Sequence, residues 1–195
     1  MRIAMFGGSF DPPHFGHLIF AEHARCALQL DHVLFIPAAH SPFKPAEMAG
    51  RFDCRATMVS LAIAGNEHFI MENTEIHRGG TSYTVDTLRT LQRTYNPTSL
   101  FLLMGSDAFW EFPLWKDPDE ITALAQIGVG QRPGSLSSVG KHPFVEHSVI
   151  FDSPLIDISS SMIRQRIRNH LSVRYLLPES VRSYITVEGL YLEND

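Results

Sequence analysis

The sequence predicts an α/β fold: a doubly wound parallel sheet with helices on both faces and a helical carboxy-terminal end. Three observations predict it. Six short stretches read as strands, several almost continuously apolar, as strands covered on both faces are. Stretches with apolar residues at helical spacing alternate with them, the order that builds parallel βαβ units. The length, 195 residues, falls within the roughly 100–200 of one domain, and no repeat, low-complexity tract or linker interrupts it. Residues 1–195 are therefore expected to form a single domain.

The first strand is predicted at 2–6 (RIAMF), and Leu18, Ala21, Ala24 and Leu28 make the stripe of the helix after it. A strand at 32–36 (HVLFI) leads to a second helix carrying Met58, Leu61 and Ala62. The third strand, 69–72 (FIME), precedes a helix with Val85, Leu88 and Leu91 on one side, and the fourth is 99–104 (SLFLLM). Asp117-Pro118-Asp119-Glu120 reads as a helix start, with Asp117 as N-cap, Pro118 at the first helical position and Glu120 closing a capping box. Strands at 126–131 (QIGVGQ) and 145–151 (VEHSVIF) flank a loop at 132–144, and helices near 160–170 and 179–187 follow. The arrangement is Rossmann-like.

Charge narrows the function. Sixteen Lys and Arg against 21 Asp and Glu leave a net charge of −5, and only 19% of residues are charged. Such a chain lacks the basic stripe of a nucleic-acid binder, so an anion must be held by a few local groups in a pocket. Apolar runs such as 61-LAIA and 100-LFLLM are far too short to span a bilayer. The start, MRIAMFGGSF, has an apolar run of only four positions, 3–6, before Gly7-Gly8, which is no signal-peptide core. Cys26 and Cys54 fit no metal or redox spacing and read as small buried thiols of a reducing cytoplasm.

The chemistry concentrates after the first strand, in 7-GGSFDPPHFGHL-18. Ligands of open parallel sheets bind at the carboxyl ends of the strands. Gly7 and Gly8 allow close backbone approach and positive φ, and the next helix offers free N–H groups to an anion. His14 and His17 share one face of that helix start and can donate to phosphate oxygens. The same pair could equally cap the helix or sit in a core. As metal ligands they supply two positions and lack a third, so no resident metal site is expected. A second cluster, 158-ISSSMIRQRIRNH-170, places Ser159, Ser160 and Ser161 at a helix start with Arg164 one turn in. Hydroxyls and a guanidinium fork suit a polyphosphate, although a solvated Ser-capped helix would show the same pattern.

Taken together, GGSFDPPHFGH and ISSSMIR resemble the motifs of the nucleotidyltransferase superfamily that flank a nucleoside triphosphate. Their order and the segments between them, including 41-SPFKP, 82-SYTVDTL, 104-MGSDAFWEFPLW and 131-QRPG, resemble the nicotinate-nucleotide adenylyltransferases over nearly the whole chain. Phe43 departs from the family, which often has His before the lysine matched by Lys44, and Ser161 stands where Thr is common. The resemblance implies adenylyl transfer from ATP to nicotinate mononucleotide, giving deamido-NAD and pyrophosphate, with Mg²⁺ bridging the phosphates.

By the same resemblance, His14, His17 and Arg164 are the catalytic residues. ATP binding falls to Gly7, Gly8, Ser9, Phe10, His14, His17, Lys44, Gly105, Asp107, Ser160, Ser161 and Arg164. Tyr83, Thr84, Val85 and Trp115 match the pyridine pocket, and Arg132 is the candidate for the mononucleotide phosphate. A nicotinamide-mononucleotide or phosphopantetheine substrate stays open, as does a nucleotide-binding sensor without turnover. No nucleic-acid or membrane partner is expected, and the oligomeric state, a homo-oligomer included, is left open.

Overall fold

The computed structural model describes residues 1–39, 52–131 and 142–192. Six strands form one parallel sheet in the order β3-β2-β1-β4-β5-β6. They are β1 (Arg2–Gly8), β2 (His32–Pro37), β3 (Phe69–Met71), β4 (Ser99–Gly105), β5 (Gln126–Gln131) and β6 (Ser148–Asp152). The centre is β1, where Ala4 is in register with Val33 of β2 on one side and Phe101 of β4 on the other. From β1 the chain winds outward through β2 to β3, then returns across the sheet to begin again at β4. The connections leaving β1 and β4 therefore diverge, and a crevice opens at the carboxyl ends of these two strands.

The continuous apolar runs explain themselves in the two cores. Odd and even positions face opposite sides, as in any strand. Ile3 and Met5 of β1 and Leu100, Leu102 and Met104 of β4 pack under α4 (Thr84–Tyr95) with its Val85, Leu88 and Leu91. Ala4 and Phe6, with Phe101 and Leu103, face α1 (Phe15–Ala27) and α2 (Phe52–Ile63) through Ala21, Ala24, Val59 and Ile63. A third cluster joins Met58 of α2 to α7 (Ser160–Arg168) and α8 (Glu179–Val187) through Ile163, Val181 and Ile185. That cluster brings the carboxy-terminal helices beside the crevice.

Several elements differ from the sequence expectation. Short helices α3 (Thr74–Arg78) and α5 (Ser106–Glu111) and a 3-10 turn at Phe112–Leu114 contribute to the walls of the crevice and were not predicted; α6 (Pro118–Leu124), which was, follows them. Asp117 does precede α6, but in a left-handed conformation (φ 53°) and without a side-chain cap bond. The Glu120 carboxylate takes both ends of the Arg89 fork, at 2.7 and 2.6 Å, in place of the expected capping box. A bidentate charged pair outcompetes a single bond to a backbone N–H. Residues Val145–His147 form a 3-10 turn, so β6 begins three residues later than expected. Cys26 is exposed rather than buried, and Cys54 is half-buried.

Gly130 of β5 shows how tightly one face is filled. A Cβ there would lie 2.2 Å from the Phe20 ring and 3.1 Å from Phe151. Gly130→Ala is expected to destabilise the fold by about 1–3 kcal/mol, the usual cost of overpacking. Urea unfolding checks this, and an unchanged midpoint would show that Phe20 swings aside freely.

Candidate active site

At the carboxyl end of β1 the chain turns through Gly7 and Gly8 into α1. Neither glycine uses the left-handed region. Gly8 is required by space: a Cβ would come within 3.0–3.2 Å of the Phe10 ring. The residue that takes positive φ is Phe10 itself (φ 48°), whose side chain is 1% exposed and packs edge-on against Phe6 and His17. Of the expected ligand contacts, Phe10 thus has only its backbone to give. Its ring is a core anchor that fixes the turn.

His14 is the N-cap of α1 and His17 its third residue. Their rings stack with centroids 3.7 Å apart. Gly16 between them is what permits this, because a Cβ there would sit 3.0 Å from the His14 ring. The His14 backbone N–H donates to His17 Nδ1 at 3.2 Å, which assigns the ring proton of His17 to Nε2. His14 is the more buried of the two, and burial lowers its pKa to about 4.

This has a consequence for stability. The folded value lies below the unfolded 6.5, so the unfolded chain binds more protons between these pH values. Stability contributed by neutral His14 is complete above pH 6.5 and is lost as pH falls toward 4. The loss should approach about 3 kcal/mol. Urea unfolding of wild type and His14→Gln at pH 7 and 4.5 isolates it, and equal pH losses in the two proteins would refute it.

The second sequence cluster meets the first through backbone bonds. Ser159 caps α7 by accepting the Met162 N–H at 3.2 Å. Ser160 donates to the Pro12 carbonyl at 2.9 Å, and Arg164 Nη1 donates to the Asp11 carbonyl at 2.7 Å. Arg164 Nη2 reaches Ser161 Oγ at 3.4 Å. The Phe15 N–H bonds the Leu176 carbonyl at 3.1 Å, and the Tyr191 hydroxyl donates to the buried Asp11 carboxylate at 2.5 Å. Arg164 and Ser160 therefore grip the loop that carries the histidines, while Ser160, Ser161 and Arg164, expected at the triphosphate, are in the wall of neither cavity described below.

Two cavities adjoin at the switch between β1 and β4, sharing Phe6 and Gly105. The smaller, about 210 Å³, is lined by His14, Gly16, His17, Phe20, Asp107 and Gly130. The larger, about 580 Å³, is lined by Gly7, Gly8 and Ser9, by Tyr83 and Thr84 at the start of α4, and by Trp115. Val85 is fully buried in the core and can offer this cavity only its N–H. Asp107 is the second residue of α5, whose N-cap is Gly105. Trp110 is 44% exposed and meets His142 edge-on, so it neither packs in the core nor lines either of these two cavities. Lys44 and Arg132 lie outside the described residues.

Sequence reasoning missed several lining residues. Glu75 of α3 is 5% exposed, with its carboxylate taking the Thr87 hydroxyl at 2.9 Å and the Ala39 N–H at 3.3 Å. Ser82 Oγ shares that N–H at 3.1 Å. Lys116 sits over the Tyr83 ring at 4.3 Å and 3.5 Å from Asp86, placing a cation at the cavity rim. Nothing in the spacing of these residues sets them apart from solvated charges. Among the described residues no group of three or more His, Cys, Asp or Glu could hold a metal ion, and no helix is long and apolar enough to cross a membrane.

The described cytidylyltransferase-like family model matches residues 5–166. A protein named probable nicotinate-nucleotide adenylyltransferase from Salinibacter ruber is 40% identical over 195 residues, covering all of both chains. One of the same name from Dictyoglomus thermophilum is 42% identical over 196 residues, covering 98% of this chain and 100% of the other. Among solved structures, the nicotinic acid mononucleotide adenylyltransferase of Plasmodium falciparum complexed with NaAD superposes with a TM-score of 0.80. It is 17% identical and covers 99% of this chain and 98% of the other, a likeness of fold.

Proposed function

Because the chain belongs to the cytidylyltransferase-like family, and within it to the nicotinate-nucleotide adenylyltransferases, we propose that its residues 1–195 act as one domain that transfers the adenylyl group of ATP to nicotinate mononucleotide, releasing pyrophosphate and deamido-NAD. The observation that carries this reading is the pair of adjoining cavities at the β1/β4 switch. Two substrates can lie end to end there, one at the histidines and one between the start of α4 and Trp115, with their phosphates meeting at the β1 loop. The acceptor is itself a phosphate, largely ionised at neutral pH, so no general base is required. Catalysis then consists of aligning two anions and neutralising the charge that builds on the α-phosphate and the leaving group.

The residues suit those tasks. His17 presents Nε2–H as a donor, and His14, kept neutral by burial, stacks on it. Ser161 and Arg164, bonded to each other and to the loop that carries the histidines, would serve a leaving pyrophosphate by their hydroxyl and remaining N–H groups. The indole of Trp115 can cover a flat, positively charged pyridinium, and the free N–H groups at the start of α4 suit its carboxylate. Mg²⁺ would supply charge neutralisation between phosphate oxygens. Among the described residues no Lys or Arg lines the smaller cavity and Asp107 is its carboxylate, which fits an ion that enters with the triphosphate.

A coupled assay of pyrophosphate release, run with nicotinate mononucleotide, nicotinamide mononucleotide and phosphopantetheine as acceptors, tests the reading. Turnover with nicotinate mononucleotide is the expected result. Turnover only with another acceptor, or with none, would overturn it.

A further inference from the structure

Arg55 is out of place by the rules that built the rest of α2. It lies in the apolar stripe with Phe52, Met58 and Val59 and is 2% exposed. A buried guanidinium is costly unless its donors are matched. Two of them are: Nη1 donates to the Ser9 carbonyl at 2.8 Å and Nη2 to the Ala38 carbonyl at 2.7 Å. Its face also rests 5.4 Å from the Phe52 ring. Asp11, Glu75 and the Tyr191 hydroxyl all favour its charge from nearby, while burial opposes it.

The two carbonyls belong to different connections. Ser9 follows β1 and Ala38 follows β2, and both residues line the larger cavity. A trans peptide directs its N–H opposite to its C=O. Both the Ser9–Phe10 and Ala38–Ala39 peptides are trans, so drawing the carbonyls toward α2 turns the Phe10 and Ala39 N–H groups the other way. For Ala39 the result is visible: its N–H reaches Ser82 and Glu75, both in the wall of the larger cavity.

We propose that Arg55 is a positioning residue for adenylyl transfer: its fork fixes the separation of the β1 and β2 connections and orients the peptide N–H groups that frame the acceptor cavity. The inference rests on the function proposed above. A lysine cannot replace it, because one ammonium does not reproduce the planar fork that spans two carbonyls.

The test compares wild type, Arg55→Met and Arg55→Lys by steady-state kinetics with ATP and nicotinate mononucleotide, by thermal melting, and by amide hydrogen exchange. In both variants kcat/KM for nicotinate mononucleotide should fall about 30-fold or more, with Lys giving no rescue. Exchange should quicken about tenfold or more at Phe10 and Ala39, while β4 amides stay protected. If Arg55→Met does not fold, Arg55→Lys decides by the same readings. Wild-type kinetic constants with unchanged exchange at those two amides would overturn the proposal, as would quickening spread evenly over β1 and β4. Should wild type itself show no turnover, the proposed reaction falls, and the exchange readings still judge whether Arg55 orients the two peptides.

Discussion

Replacing His17 by alanine is expected to lower kcat about a hundredfold or more, roughly 3 kcal/mol, the scale of losing one preorganised donor to developing charge. Its Nδ1 is occupied by the His14 N–H at 3.2 Å, so Nε2–H is the atom it can direct at a phosphate oxygen. The truncation also removes an acceptor at the start of α1, a loss of about 1 kcal/mol by analogy with helix caps. That is too small to unfold a sheet with a full core on each face. Kinetics accompanied by a melting curve separate the two effects. A folded His17→Ala protein with near-normal kcat would remove His17 from the reaction.

The second large effect concerns the acceptor. Nicotinate mononucleotide is expected to exceed nicotinamide mononucleotide in kcat/KM by at least about a hundredfold, or 2.7 kcal/mol, as when an amide NH₂ meets buried donors. The N–H groups of Thr84 and Val85 precede the first bonds of α4, in which Asp86 and Thr87 donate to the Tyr83 carbonyl. The dipole of α4 favours the anion as well. Asp86 could not serve an amide: it is held by Arg89 at 2.6 Å and Lys116 at 3.5 Å. Glu75 is the carboxylate in the wall, but Thr87 and Ala39 already donate to its oxygens. Measuring both acceptors at saturating ATP checks the ratio. Equal values, or a preference for the amide, would mean that Glu75 rather than the helix start reads the ring.

The sheet was legible because its strands are buried on both sides, and residues such as 100–104 then leave no polar face to confuse the period. Elements of five or six residues, α3 and α5, carry too few turns to show a stripe, and they supply Glu75, Ser106, Asp107 and Ala108 to the cavity walls. The loop of β1 announced itself through glycines and histidines, yet the reasons differ in detail. Gly8 and Gly16 make room for the rings of Phe10 and His14, and the left-handed residue is Phe10. Arg55 and Glu75 were silent because a charge in a sequence reads as solvent-facing until the fold surrounds it. The motif at 158–164 was legible as a partner of the loop, though its grip on the Asp11 and Pro12 carbonyls belongs to the third dimension.

The bonds that hold the β1 loop also set a timetable for its assembly. Its partners lie 46, 148, 153 and 180 residues further along the chain, at Arg55, Ser160, Arg164 and Tyr191. A ribosome adding roughly 5–20 residues per second would thus make the loop and deliver its last partner on the order of ten seconds or more afterwards. Through that interval β1, β2 and β4 can pair while the histidines are carried on a turn that Ser160, Arg164 and Tyr191 do not yet fasten. A nascent chain is then sheet-bearing before it is substrate-ready, and its capacity to hold nucleotide waits on residues 160–191.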